Sequence, residues 1–187
     1  MNKPKDMDEA RGLIEQLRVE IAETAKKEAY AGQSFRARVY VELLREMKAE
    51  FGEEKAREVF FRATKICGQK MCEEFFGREN AFPLPKFRDM LLGSYPASGA
   101  LHKPEVVHCD EEELVVRMHD CPVKQAWRSF GLSREEVKEM CYVADGWDHG
   151  MFGGMYDFYV DYWYDDPKDC CTMHMKAKKP KRAIKKS

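Results

Sequence analysis

Three stretches of the chain gather residue types that do chemistry. The first is His119-Asp120-Cys121-Pro122, placed where a strand should give way to a helix. A thiol there sits beside free backbone amides and the positive end of the helix dipole, which stabilise a thiolate. That makes Cys121 a candidate nucleophile or ligand, with a partly buried structural thiol as the competing reading. The second is Cys141 to His149, in which Cys141, Asp145, Asp148 and His149 recur at three- and four-residue steps. On a helix such spacing brings side chains to one face and suits an acid/base pair or a metal. A packed core thiol competes for Cys141, and a solvated carboxylate with a capping His for Asp148 and His149. The third is Asp169-Cys170-Cys171-Thr172-Met173-His174. Strand alternation sends Cys171 with Met173 to one face and Cys170 with His174 to the other.

Other spacings carry less. Cys67 and Cys72 are five apart in a helical stretch, and Cys67 reads as core. His108-Cys109, adjacent in a strand, splits between two faces. The chain has no Gly-rich phosphate loop after a strand, no His-Glu-x-x-His and no serine elbow, which speaks against nucleotide-dependent and serine-hydrolase chemistry.

These residues must be held by something. Leu13, Ile14, Leu17, Ile21 and Ala25 give a helix over Asp8 to Tyr30, with a stop at Ala31-Gly32-Gln33. Ser34 opens a second helix carrying Val39, Tyr40, Leu43, Leu44 and Met47. Glu53 opens a third, with Val59, Phe60, Ala63, Ile66, Cys67 and Met71, ending at Gly77. Asn80 to Gly99 is a Pro- and Gly-marked connection with a helical turn at Lys86 to Leu92. Strands follow at Glu105 to Cys109 and Glu113 to Met118, joined by the acidic turn Asp110-Glu111-Glu112. Pro122 suits the first turn of a helix to Phe130. Ser133 and Glu136 form a capping box for another through Val143. Gly146, Gly150, Gly153 and Gly154 then read as a loop, before strands at Tyr156 to Tyr164 and Cys170 to Lys176. The order is ααα-ββ-αα-ββ, an α+β fold in which an N-terminal helical layer of three helices is expected to cover one face of a small antiparallel sheet.

At 187 residues the chain is expected to be a single domain over 1–187, with a helical half (1–79), an α+β half carrying the site (100–176) and a disordered basic tail (177–187). The net charge of −1 hides the basic run Lys176 to Lys186, seven Lys and Arg against an acidic body. No aromatic residue interleaves that run, so a solvated end is favoured over nucleic-acid binding. Truncation after Ala177 should therefore leave the melting temperature nearly unchanged. The seven cysteines form no secreted disulfide framework, Asn2 to Arg11 is charged rather than signal-like, and no run is apolar enough to span a membrane. The expected location is cytoplasmic.

The second half resembles the L-2-amino-thiazoline-4-carboxylic acid hydrolase-like family. The residues concerned are Cys121-Pro122, Trp127, Gly131-Leu132-Ser133, Cys141, Asp145 and a closing strand with Cys170-Cys171, over roughly Met118 to Met175. It is also similar to vinyl-reductase-type ligand-binding domains, whose α+β fold is alike. The resemblance implies hydrolytic opening of a carbon–nitrogen bond in a small cyclic amidine or amide, with Cys121, Cys141, Asp145 and Cys171 at the matching positions. With the residue reading, the expected catalytic set is Cys121, Asp145 and His149. Cys171, Cys141 and His119 are expected to bind substrate or a divalent metal such as zinc. Cys121, Asp145 and Cys171 should line a common pocket with His149 at its edge. A non-catalytic small-molecule, metal or redox-binding module is the rival. The expected partners are a small-molecule ligand and a second copy of the chain, a homodimer through the N-terminal helices.

Overall fold

The computed structural model describes residues 7–77, 81–162 and 171–178. Cys170 and residues 179–187, the greater part of the expected tail, lie outside the described residues. The chain opens with helix α1, Met7–Phe51, 45 residues without a break. The stop expected at Ala31-Gly32-Gln33 is absent. One glycine inside a helix costs only about 1 kcal/mol, and the good helix formers around Gly32 absorb it. All three buried residues of α1 (Ala37, Val41 and Leu44) fall after Gly32. Before it the helix is an arm, with Ile14, Leu17, Val19 and Ile21 exposed.

Gly52, at φ 78°, turns the chain into α2, Glu53–Phe76. Its inward stripe is Ala56, Phe60, Thr64 and Gly68. Of the expected Val59, Phe60, Ala63, Ile66, Cys67 and Met71, Phe60 is buried, while Ala63, Ile66 and Cys67 are exposed, Cys67 rather than core. Helix α3 spans Leu84–Ser94, longer than the expected turn. Strands β1, Pro104–Cys109, and β2, Glu113–Met118, follow. Between them Asp110 Oδ1 accepts the amides of Glu112 and Glu113, each at 2.8 Å. Then come α4, Pro122–Ser129, and α5, Arg134–Phe152, with the Ser133/Glu136 capping box formed in full. Strands β3, Tyr156–Tyr162, and β4, Cys171–Ala177, complete an antiparallel sheet of order β1-β2-β4-β3. The α+β order ααα-ββ-αα-ββ holds, though its three leading helices are α1, α2 and α3 rather than a divided α1 followed by α2.

The expected glycine loop is helix as far as Phe152, and two of its glycines have another purpose. A Cβ on Gly146 would fall onto the Phe61 carbonyl and the Thr64 hydroxyl, and one on Gly150 onto the Lys65 carbonyl. From the other side, a Cβ on Gly68 would meet the Trp147 carbonyl. Helices α2 and α5 thus cross with backbones nearly touching, and Thr64 Oγ1 donates to the Val143 carbonyl at 2.8 Å across the seam.

Two apolar clusters result. One joins the inner sheet face (Leu114, Val116, Met118, Met173, Met175) to α3 and the end of α5, through Phe87, Phe152 and Tyr156. The other joins the docked half of α1 to α2, α4 and α5. Trp127 Nε1 donates to the Ala37 carbonyl at 3.0 Å and pins α4 to α1. The helices on the sheet are therefore α3 and α5, while the α1 arm covers none of it. Lys178, in the stretch expected to be dispensable, donates to the Gly153 and Gly154 carbonyls at 2.8 and 2.7 Å. It caps the end of α5, where unsatisfied carbonyls attract a cation.

Candidate functional site

Between the two clusters lies a cavity of about 330 Å³. Cys121 packs against both clusters and lines the cavity at their junction. Its position follows from the chain: β2 ends at Met118, Pro122 starts α4, and Cys121 is the residue capping that helix. The Lys124 amide donates to its Sγ at 3.4 Å, and its own amide donates to Asp120 Oδ1 at 2.9 Å.

Cys171 opens β4 beside Met118 of β2 and Tyr162 of β3, which puts it at the same end of the sheet. With Met173 it faces the cavity, as alternation requires. His174 lies on the opposite face, stacked on Tyr159 at 4.3 Å. From α5 come Cys141, Asp145 and Asp148, on successive turns and all lining the cavity. Cys121, Asp145 and Cys171 therefore share one pocket, and Asp145 reaches it from mid-helix rather than from a helix end.

The two expected histidines are placed differently. His149 does not line the cavity. Its Nε2 lies 3.2 Å from Asp145 Oδ2, and its ring packs between Phe61 and Phe158. It stands behind Asp145 as an orienting partner. His119 does not line the cavity either: its Nε2 meets Glu105 Oε2 at 2.6 Å on an exposed strand end. Among the described residues no three His, Cys, Asp or Glu side chains gather closely enough to hold a metal ion. The zinc considered from the sequence thus finds no ligand set there.

Electrostatics divide the lining residues. Burial pushes the Cys141 thiol up to about 12 and the Cys171 thiol well above its ordinary value, with Cys121 adding to both. At neutral pH both are neutral thiols. Burial, then the neighbouring Asp145 charge, pushes the Asp148 carboxyl well up towards its neutral form, partly opposed by Arg36. Asp145 is 7% exposed, and its Oδ1 is buried without a hydrogen-bond partner.

Sequence reasoning passed over three lining residues. Arg36 enters from α1, and its Nε is buried and unpartnered. Its spacing of four from Tyr40, another lining residue, was the available signal. His102, with Nδ1 buried and unpartnered, is pushed down by burial and by Arg36, so it is neutral. Tyr95 stacks obliquely on it at 5.4 Å, with its hydroxyl pushed up by burial. Beside Tyr95, Ala97 and Ser98 hold φ near +50°, a left-handed conformation costly for residues with a Cβ and recurrent at ligand sites.

A small antiparallel sheet backed by helices, with thiols and carboxylates around one cavity, defines an α+β protein with a pocket of small-molecule size. A family model described as L-2-amino-thiazoline-4-carboxylic acid hydrolase matches residues 32–175, and the chain belongs to that family. The match begins within α1, at the residue where the exposed arm ends, and so takes in the helical half as well as the sheet. No curated protein matches the chain.

Proposed function

We propose that the protein is a hydrolase that opens a carbon–nitrogen bond in a small cyclic amidine or amide. One observation carries the reading: a capping thiol, Cys121, and two carboxyl groups, Asp145 and Asp148, line the same cavity in a chain of this family. Water adds to the ring carbon of the amidine, and the bond from that carbon to the ring nitrogen breaks as the nitrogen takes up a proton. Asp145, held by His149, is the base for water or for the Cys121 thiol. Asp148, kept towards its neutral form, is the acid for the departing nitrogen. The free amides at the start of α4 stabilise negative charge developing near Cys121. Cys141 and Cys171, as neutral thiols, shape the wall.

The test is incubation with 2-amino-2-thiazoline-4-carboxylate, with the ring-opened product read by mass spectrometry. Turnover is expected, with Asp145→Asn lowering kcat/KM by about 100-fold or more. Absence of ring opening under all conditions would sink the reading. The rival, a non-catalytic binding module, is favoured by the mainly apolar wall and predicts binding without turnover.

The whole chain is taken to act as one domain in the cytoplasm. Among the described residues no helix is long and apolar enough to cross a membrane. A second copy is the proposed partner of the arm. Ile14, Leu17 and Ile21 form an exposed stripe there. Charges of both signs flank the stripe (Glu15, Arg18, Glu20, Glu23, Lys26, Lys27), as at the polar rim of an apolar helix–helix seam. Light scattering should show a dimer that Ile14→Glu with Ile21→Glu converts to monomer. A monomeric parent protein would refute it.

A further inference from the structure

Two features of the cavity are unused by the chemistry above: its size and Arg36. A cavity of about 150 Å³ is enough for one benzene ring, and this one measures about 330 Å³. The excess is apolar, bounded by Met118, Trp147, Phe152, Met173, Tyr95 and Phe76. A bare five-membered heterocycle would leave much of that wall without contacts, and unfilled apolar volume is costly. Arg36 supplies the opposite need. A guanidinium has five N–H donors. Arg36 Nη2 donates to Gln33 Oε1 at 2.6 Å, Nε is buried with no acceptor, and the side chain forms no ion pair among the described residues. A positive group so placed at a cavity wall is matched by a ligand carboxylate, which takes two parallel hydrogen bonds from such a fork.

We infer that the ligand of this cavity is a carboxylic acid with an aryl or acyl body of two-ring size, its carboxylate on Arg36 and its body along the Trp147–Phe152 wall. The inference rests on the reading of this cavity as the ligand site. Arg36 of α1 acts on Asp148 of α5 across the same cavity, so the anchoring carboxylate sits on the α1 side and faces the carboxyl groups of α5. Specificity is then set by the apolar body.

The test is calorimetric titration of the full chain with benzoate, biphenyl-4-carboxylate, biphenyl-4-methanol and 2-amino-2-thiazoline-4-carboxylate. Biphenyl-4-carboxylate is expected to bind about tenfold or more tighter than benzoate or the bare heterocycle, since a second ring buries more apolar surface. Arg36→Gln should weaken biphenyl-4-carboxylate by about tenfold or more and biphenyl-4-methanol by less than about twofold. Ala144→Leu narrows the cavity from α5 and leaves Arg36 intact. It should weaken biphenyl-4-carboxylate by about tenfold and benzoate by less than about twofold. Equal binding of benzoate and biphenyl-4-carboxylate, equal losses of the acid and the alcohol in Arg36→Gln, or no binding of either acid overturns the inference. Ring opening of the bare heterocycle with no gain from the second ring sinks the size inference and spares the hydrolase reading. Tight biphenyl-4-carboxylate binding with no ring opening of any amidine does the reverse.

Discussion

Helix α5 carries acidic side chains into two different settings. Near its start, Glu139 lies between Lys48 of α1 and Arg57 of α2, each at 2.5 Å. Burial opposes its charge, but the hydrogen bonds from Lys48 and Arg57 outweigh burial and hold its carboxyl below the usual range. Two to three turns later Asp145 has one unpartnered oxygen, and Asp148 is pushed up by burial with only Arg36 opposing. The paired carboxylate ties three helices together, whereas Asp145, with only His149 on its other oxygen, and Asp148 face a cavity. A carboxyl whose charge the fold does not fully satisfy is open to a ligand or a proton, which supports the proposed roles of Asp145 and Asp148.

The contrast can be broken most directly at Glu139. Glu139→Ala should cost about 2 kcal/mol, because two cations lose a shared acceptor. In a chain of this size that is roughly 4–8 °C in Tm. A change under 1 °C by calorimetry would mean the bridge is solvated and the contrast false.

A subtler break uses pH. Glu139, lowered in the folded state, contributes stability above its ordinary value of 4.5, and this is lost as pH falls through its folded value. Asp148, raised in the folded state, contributes stability below its ordinary value of 3.8, and this is lost as pH rises towards its folded value. Asp148→Asn should therefore raise Tm at pH 8 relative to the parent protein, and the gain should shrink as pH is lowered towards 4. A variant less stable than the parent at pH 8 would contradict the raised Asp148 carboxyl.

The smallest effect is expected at the other end of α5. Lys178→Ala removes a cation from the helix terminus and should cost at most about 1 kcal/mol, screened by salt. Denaturant melts at low and high salt check it, and a loss insensitive to salt would point to packing rather than charge.

Much of the sheet half was legible in the sequence, because its signals are local. The acidic turn at Asp110, the proline at the start of α4 and the Ser133/Glu136 box each act within four residues. Alternation correctly paired Cys171 with Met173. What failed were the inferences about where one helix meets another. Gly32 reads as a stop only if its flanks are weak helix formers. Gly146 and Gly150 read as loop only if nothing approaches them, whereas their missing Cβ atoms are what lets α2 come close. Cys67 carries the composition of a core residue, but Thr64 and Gly68 on the next stripe face α5. The cavity thiols and Asp145 were found because their types are rare and their steps regular. Arg36 and His102 went unnoticed because their importance lies in buried atoms without partners, and Tyr95 because it lies in burial against His102, which only the assembled fold shows.

The unbroken path of α1 through Gly32 has a mechanical consequence. The arm and Arg36 belong to one helix, so a twist applied to the arm about its axis is delivered to the guanidinium as a rotation at the cavity wall. Gly32 is where such a lever yields first, since a residue without a Cβ resists backbone rotation least. The stiffness of a single residue therefore sets how strongly whatever grips the arm is felt inside the pocket.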